Sequence, residues 1–429
     1  MELLILNATI CFPASPFFNK VCDVLIVGNQ IDTIALSSKK TFANYTKNKK
    51  NWITDAKNAW LMPSMVCLRS HSSDPGNEHK ESLTSLSEAA IAGGFSTVCV
   101  LPDSDPTINN KSAVEYVINK SKQLSAQLLP YGTLSQKLEG KELSEMYDMH
   151  LAGAVGFTDA NYAVKNSGLM LRALQYSQIF GGKIFTHAED VHLSTGGRMH
   201  EGNISVLLGL KGIPAMAEEM AIKRDLELAK YANAPIHFSH ISSKGAVEII
   251  QKAKKQGIEV TCDVAVANLI FTDNDMLEYN ANLKLNPPLR SKEDKKALWA
   301  GLMDGTIDAI VTDHFPQNVE LKDVEFEYAD EGMIMLQTAL PLVLANAPKG
   351  FEINHVVEKL CINPRNIINL PIPELEKGSF FDFIIFDPNE KWILNDQTNK
   401  SKSRNTVFYN KEIKGKVLSS YHADKNYNN

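Results

Sequence analysis

The sequence predicts an α/β chain: a closed (β/α)8 barrel with a small β-sandwich domain formed by both termini. Three observations predict it. Strand-like and helix-like runs alternate through residues 59–371. Several of those strand-like runs end in a histidine or an aspartate. Short β-like runs crowd both ends of the chain, around a middle of different character. Alternation of strand and helix implies a parallel sheet with helical crossovers. About eight such units over about 250 residues or more is the pattern of a closed barrel. An open doubly wound sheet is the alternative, and it is disfavoured because no Gly-rich phosphate fingerprint follows an early strand.

In order, residues 1–58 hold β-like runs at 3–6, 24–27 and 31–35, and the polar segment 39–51 reads as a loop or hairpin tip. Barrel strands are predicted at 65–71, 97–101, 128–134, 153–157, 183–187, 236–240, 260–264 and 309–313. Helices are predicted at 78–92, 167–180, 214–231, 244–255 and 291–303. The end domain resumes over 372–429, with short strands at 381–386, 391–394, 406–409 and 417–421 between turn residues. The polar tail 423–429 is predicted to fray.

Composition narrows the function classes. A chain of 429 residues can bury a large core. With 44% apolar and 22% charged residues it reads as an ordinary soluble globular protein. A net charge of -6 without a long basic run argues against nucleic acid as a partner. No apolar run is long enough to span a bilayer, and residues 1–7 lack the basic flank of a signal peptide. The six cysteines are scattered, with no Cys-x-x-Cys pair. They read as buried thiols of a reducing compartment, with the cytoplasm as default.

The strand-end residues are His71, His187, His240 and Asp313, with Asp159 just past Phe157. Strand C-termini converge on one face of a barrel, so these residues become neighbours despite their separation. Imidazoles and carboxylates at one mouth suit a divalent, zinc-like ion. One such histidine alone would read as a core residue satisfied by hydrogen bonds. Five coincidences favour a site.

The stretch from Pro63 to Gly76 resembles the metal-binding first strand of the amidohydrolase superfamily, and closely that of the dihydroorotases, Asp-x-His-x-His-x-Arg-x-Pro-Gly. Ala92-Gly93-Gly94-Phe95-Ser96-Thr97-Val98, Gly156-Phe157-Thr158-Asp159, Thr186-His187-Ala188-Glu189-Asp190 and His237-Phe238-Ser239-His240 each have a counterpart there. So do Lys284-Leu285-Asn286-Pro287-Pro288 and Thr312-Asp313-His314-Phe315-Pro316. The resemblance implies an amidohydrolase-type TIM barrel that interconverts N-carbamoyl-aspartate and dihydroorotate in pyrimidine synthesis. There, metal polarises a carbonyl and activates water while an aspartate shuttles the proton. Carried over, His71, Asp159, His187, His240 and Asp313 match metal ligands, and Asp313 is also the catalytic aspartate. Asn286 and His314 match substrate-contacting positions.

The chain departs from that pattern at several chemical positions. Cys67 stands for the aspartate and Arg69 for the first histidine. A guanidinium stays charged and offers only donors, so it cannot coordinate a cation. Strand alternation puts Arg69 on the same face as His71. Ser73 replaces the arginine that grips the substrate carboxylate, and Asp103 replaces a substrate-binding asparagine. Both changes disfavour an anionic substrate. A like-charge pair at about 4 Å costs about 4 kcal/mol at an effective dielectric of 20.

Three readings follow. Placed first is a degenerate homologue without catalysis that supports the assembly of an aspartate transcarbamoylase, with Arg69 standing in for metal charge against Asp159 or Asp313. Second is an active cyclic amide or ureide hydrolase with one zinc ion at most, held by Asp159, His187 and His240. Third is a conventional dihydroorotase. A homodimer is expected in each.

Overall fold

The computed structural model describes residues 2–38, 42, 52–422 and 425–428. The predicted loop at 39–51 lies outside the described residues, except for Phe42.

Seven parallel barrel strands form: Met65–Ser70, Phe95–Val100, Gln127–Pro130, Ile184–His187, Ile236–Ser239, Val260–Ala265 and Ala309–Val311. They fall into one run of three neighbours and one of four. Phe157 joins the runs, bridging Gly132 on one side and Ile184 on the other. A parallel bridge between Ser70 and His314 closes the ring. The strand predicted at 153–157 is thus reduced to a single bridging residue. Gly153 turns at a φ of +107°, and the chain enters the ring only after it.

Met65–Ser70, Phe95–Val100, Ile184–His187, Ile236–Ser239 and Ala309–Val311 are buried along their whole length, which is why they read as continuous apolar runs rather than alternating ones. Helices cover them, and side-chain caps set where the helices start. Asn166, Ser243 and Ser291 cap Ser167–Gln178, Lys244–Lys255 and Lys292–Asp304. The helix predicted from residue 78 begins only at Leu83. Ser82 accepts from the Ser85 amide there, and the Ser85 side chain answers the Ser82 backbone.

Both termini contribute to one eight-stranded sheet. Its order is Lys425–Asn428, Glu412–His422, Phe383–Ile393, Trp60–Pro63, Glu2–Ile10, Val21–Val27 and Gln30–Leu36, with Trp52–Asp55 paired to Glu2–Ile10. The sheet therefore runs past residue 58 to Pro63, directly ahead of the first barrel strand. Lys425–Asn428 pairs antiparallel with Glu412–His422, so that part of the tail adds an edge strand instead of fraying. The strand predicted at 406–409 is a turn. Leu3, Ile5, Leu61, Phe383 and Ile385 belong to a core of their own, separate from that of the barrel. All six cysteines are buried and unpaired. Among the described residues no helix is long and apolar enough to cross a membrane.

Candidate functional site

The barrel brings Arg69, His187, His240 and Asp313 into one buried hydrogen-bonded run. Arg69 is 1% exposed. Its Nε donates to Asp313 Oδ1 at 2.8 Å, and its guanidinium also donates to the Asn161 side-chain oxygen. The expected pairing is therefore with Asp313 and not with Asp159. The run continues from Asp313 Oδ2 to His240 Nδ1 at 3.4 Å, and from His240 Nε2 to His187 Nδ1 at 2.9 Å. It ends where His187 Nε2 meets Glu189 Oε2 at 2.9 Å.

Which ring nitrogen of each imidazole donates depends on its tautomer. Burial, with Arg69 close by, lowers the His240 pKa to about 3. Burial pushes the Glu189 carboxyl upward, but the His187 contact outweighs it and holds the pKa at about 2. Burial likewise opposes ionisation of Asp313, and the neighbouring His240 and Arg69 overcome it and keep its pKa low.

His71 stands beside this run with a different partner. Its Nδ1 lies 2.6 Å from Asp103 Oδ2, and its ring stacks on Phe315 with centroids 3.6 Å apart. His71 Nε2 and Asp103 Oδ1 are both buried without a hydrogen-bond partner. Against the effect of burial, the charge and hydrogen bond of His71 hold the Asp103 carboxyl below its usual range.

Asp159 does not join the group. Its Oδ1 accepts from the Leu134 amide at 2.9 Å and the Ser135 amide at 2.8 Å, and its Oδ2 accepts from the Ser135 hydroxyl. Burial raises its pKa to about 6 even so. Ala160 follows at a φ of +53°. From this loop it is Asn161 that reaches Arg69.

Of the four residues matched to substrate contacts, Asn286 and Asp103 line a mouth cavity of about 560 Å³. His314 is turned into the wall instead. Its Nε2 meets Glu81 Oε2 at 3.3 Å, and its Nδ1 accepts from the Met335 amide at 3.1 Å. Ser73 is tied to the Glu81 carbonyl through its amide and does not line the cavity. Asn161, Glu189 and Asp263 were not singled out from the sequence. Asp263 holds the His240 amide at 2.6 Å and His237 Nε2 at 2.8 Å. No periodic signal marks Asn161, while Glu189 was visible only as the second residue after a strand-end histidine.

The donor set does not fit a metal ion. Arg69 presents only N–H groups where a ligand is needed, Asp159 faces Ser135, and His71 keeps only its Nε2 free, away from the His187–His240 run. Among the described residues no group of three or more His, Cys, Asp or Glu side chains is placed to hold an ion.

Residues 59–246 match the family model described as dihydro-orotase-like. A dihydroorotase of Trichlorobacter lovleyi is 41% identical over 363 residues, 84% of this chain and 85% of that one. The chain belongs to the dihydroorotase family. A family member from Syntrophus aciditrophicus is 38% identical over 420 residues, 97% of both chains, and one from Aquifex aeolicus is 41% identical over 368 residues, 85% of this chain and 87% of that one. Among solved structures, the L-hydantoinase of Arthrobacter aurescens superposes with a TM-score of 0.80 at 23% identity, covering 98% of this chain and 94% of that one. A dihydropyrimidinase from Brevibacillus agri gives 0.77 at 19%, with coverage of 98% and 94%. Those likenesses show that the fold as a whole is shared. Arg69 places a fixed positive charge inside the barrel.

Proposed function

We propose that this chain serves pyrimidine synthesis in the cytoplasm as a dihydroorotase-family protein without metal-dependent ring chemistry. Its part is structural, in support of an aspartate transcarbamoylase. One observation carries this reading: the buried Arg69 guanidinium is bonded to Asp313, the residue that matches the proton-shuttling aspartate. An aspartate held in an ion pair by a permanent cation is a poor base. The orientation of Asp159 toward Ser135 supports the same reading, since it removes an oxygen donor from the cluster. The relatives' shared name supports the pathway.

A second reading, a working dihydroorotase, is favoured by the 41% identity to proteins of that name. One experiment separates the two. Full-length protein is purified with zinc in every buffer, assayed for bound metal, and incubated with dihydroorotate while its absorbance is followed. Substoichiometric metal and no turnover above background are expected. A stoichiometric transition metal together with turnover establishes the second reading instead. Mixing with the aspartate transcarbamoylase of the same organism and sizing the products by sedimentation tests the structural role. A stable complex is expected, and two independent species rule that role out.

A further inference from the structure

Six charged side chains stand around the mouth cavity: Asp103, Glu327, Asp330 and Glu331 against Arg198 and Lys284. The wall is therefore net negative. Several of these groups are already engaged. Asp103 uses one oxygen on His71, while its other oxygen is buried without a partner. Lys284 Nζ donates to the Phe326 carbonyl at 2.9 Å and the Glu327 carbonyl at 2.8 Å. Lys322 Nζ donates to the Ala281 carbonyl at 2.8 Å and the Asp330 carbonyl at 2.7 Å. These two ammonium groups staple the segment carrying Glu327, Asp330 and Glu331 onto the segment 281–284. The acidic wall is thus built before any ligand arrives, which cuts the ordering cost of binding.

Four charged side chains of the lining, Arg198, Glu327, Asp330 and Glu331, have no hydrogen-bond or ion-pair partner among the described residues, and of the three carboxylates Asp330 and Glu331 are half-buried. The exposed Arg198 side chain makes no hydrogen bond or ion pair to another described residue. The Glu331 carboxylate also lacks such a partner, and burial raises its pKa, with Lys284 acting the other way. Phe315 lies in the cavity wall, and Tyr162 and Tyr328 line the cavity while remaining 59% and 75% exposed. An unpaired carboxylate under partial burial is stabilised by an incoming cation, and a free guanidinium is matched to a carboxylate.

We propose that this cavity binds a small zwitterion. Its ammonium group is received by Glu331, its carboxylate by Arg198, and its carbon skeleton by the aromatic side chains. N-carbamoyl-aspartate, with two carboxylates, is disfavoured by the same wall. The inference deepens the reading above, that the mouth has left the family chemistry. Its test reads binding and not turnover, so either can fail without the other.

The probes are a matched four-carbon series: 4-aminobutanoate, succinate and 1,4-diaminobutane, titrated into the full-length protein by calorimetry. We expect 4-aminobutanoate to bind at least about tenfold more tightly than the other two. Arg198→Met should move the preference toward the diamine, and Glu331→Gln toward succinate. Circular dichroism checks the Glu331 variant, and Arg198→Met, on an exposed side chain, carries the test if the other does not fold. The proposal is overturned if succinate or the diamine binds as tightly as 4-aminobutanoate. It is equally overturned if 4-aminobutanoate gives no heat at millimolar concentration, or if a folded variant keeps the parent's preference.

Discussion

Arg69 governs the barrel mouth because its charge cannot be titrated away. Asp313 Oδ1 and the Asn161 side chain take up its donors, and Asp313 in turn reaches His240. Removing one member of a buried ion pair strands the other, at a cost of about 3–5 kcal/mol. Arg69→Met should therefore lower the unfolding free energy by that amount in urea titrations. Arg69→Met with Asp313→Asn removes both charges and should recover about 1–3 kcal/mol of the loss. A double variant as unstable as the sum of the single ones means the pair contributes nothing. The placement of Arg69 was legible in the sequence, since strand alternation puts residues 69 and 71 on one face. The directions of Asp159 and His314 were not. Asp159 lies beyond Phe157 and His314 beyond the strand Ala309–Val311, and there backbone turns decide where a side chain goes: Ala160 and Asp313 both have positive φ. Alternation stops being a guide at the point where the chemistry starts.

At the scale of elements, the helix Leu83–Ala92 ends against the segment that anchors His314. A Cβ on Gly93 would stand 2.1 Å from the Leu336 carbonyl oxygen, and His314 Nδ1 accepts from the Met335 amide beside it. The absence of a side chain at Gly93 therefore lets helix end and loop meet, although its own φ of -86° suits any residue. Gly93→Ala should destabilise the protein by about 1–3 kcal/mol, the usual cost of overpacking. Thermal unfolding reads this directly, and an unchanged midpoint means that the loop moves aside freely. The Gly-Gly pair was visible in the sequence as a helix-to-strand turn. Its tight contact with residue 336 was not, because nothing local in either stretch encodes their meeting. The same limit explains the fourth barrel strand. A run of five residues with glycine at its first and fourth positions carried the right composition, yet only Phe157 forms bridges.

The whole molecule depends on how its two cores are joined. The end sheet and the barrel share one continuous stretch, from Trp60–Pro63 through Ser64 into Met65–Ser70. Polar groups meet at that passage. Arg365 donates to the Ser64 carbonyl at 2.7 Å, the Cys361 carbonyl at 2.8 Å and Asp382 Oδ2 at 2.7 Å. His422 Nδ1 lies 3.2 Å from Asp382 Oδ1, and the Ser64 hydroxyl also donates to that oxygen. Arg365 is buried, so its charge depends on Asp382 for compensation. Burial alone would raise the Asp382 carboxyl. His422, Arg365 and Ser64 outweigh it and hold the pKa at about 2, below its ordinary 3.8. A carboxyl depressed in the folded state adds stability above its unfolded pKa and loses it as pH falls through the folded one. Asp382 should therefore contribute fully above pH 3.8 and progressively less toward pH 2. Asp382→Asn should be less stable than the parent at neutral pH and should lose part of the acid-range slope. Urea midpoints across that range for both proteins test this, and parallel slopes would mean that the junction is held by packing rather than by this ion pair.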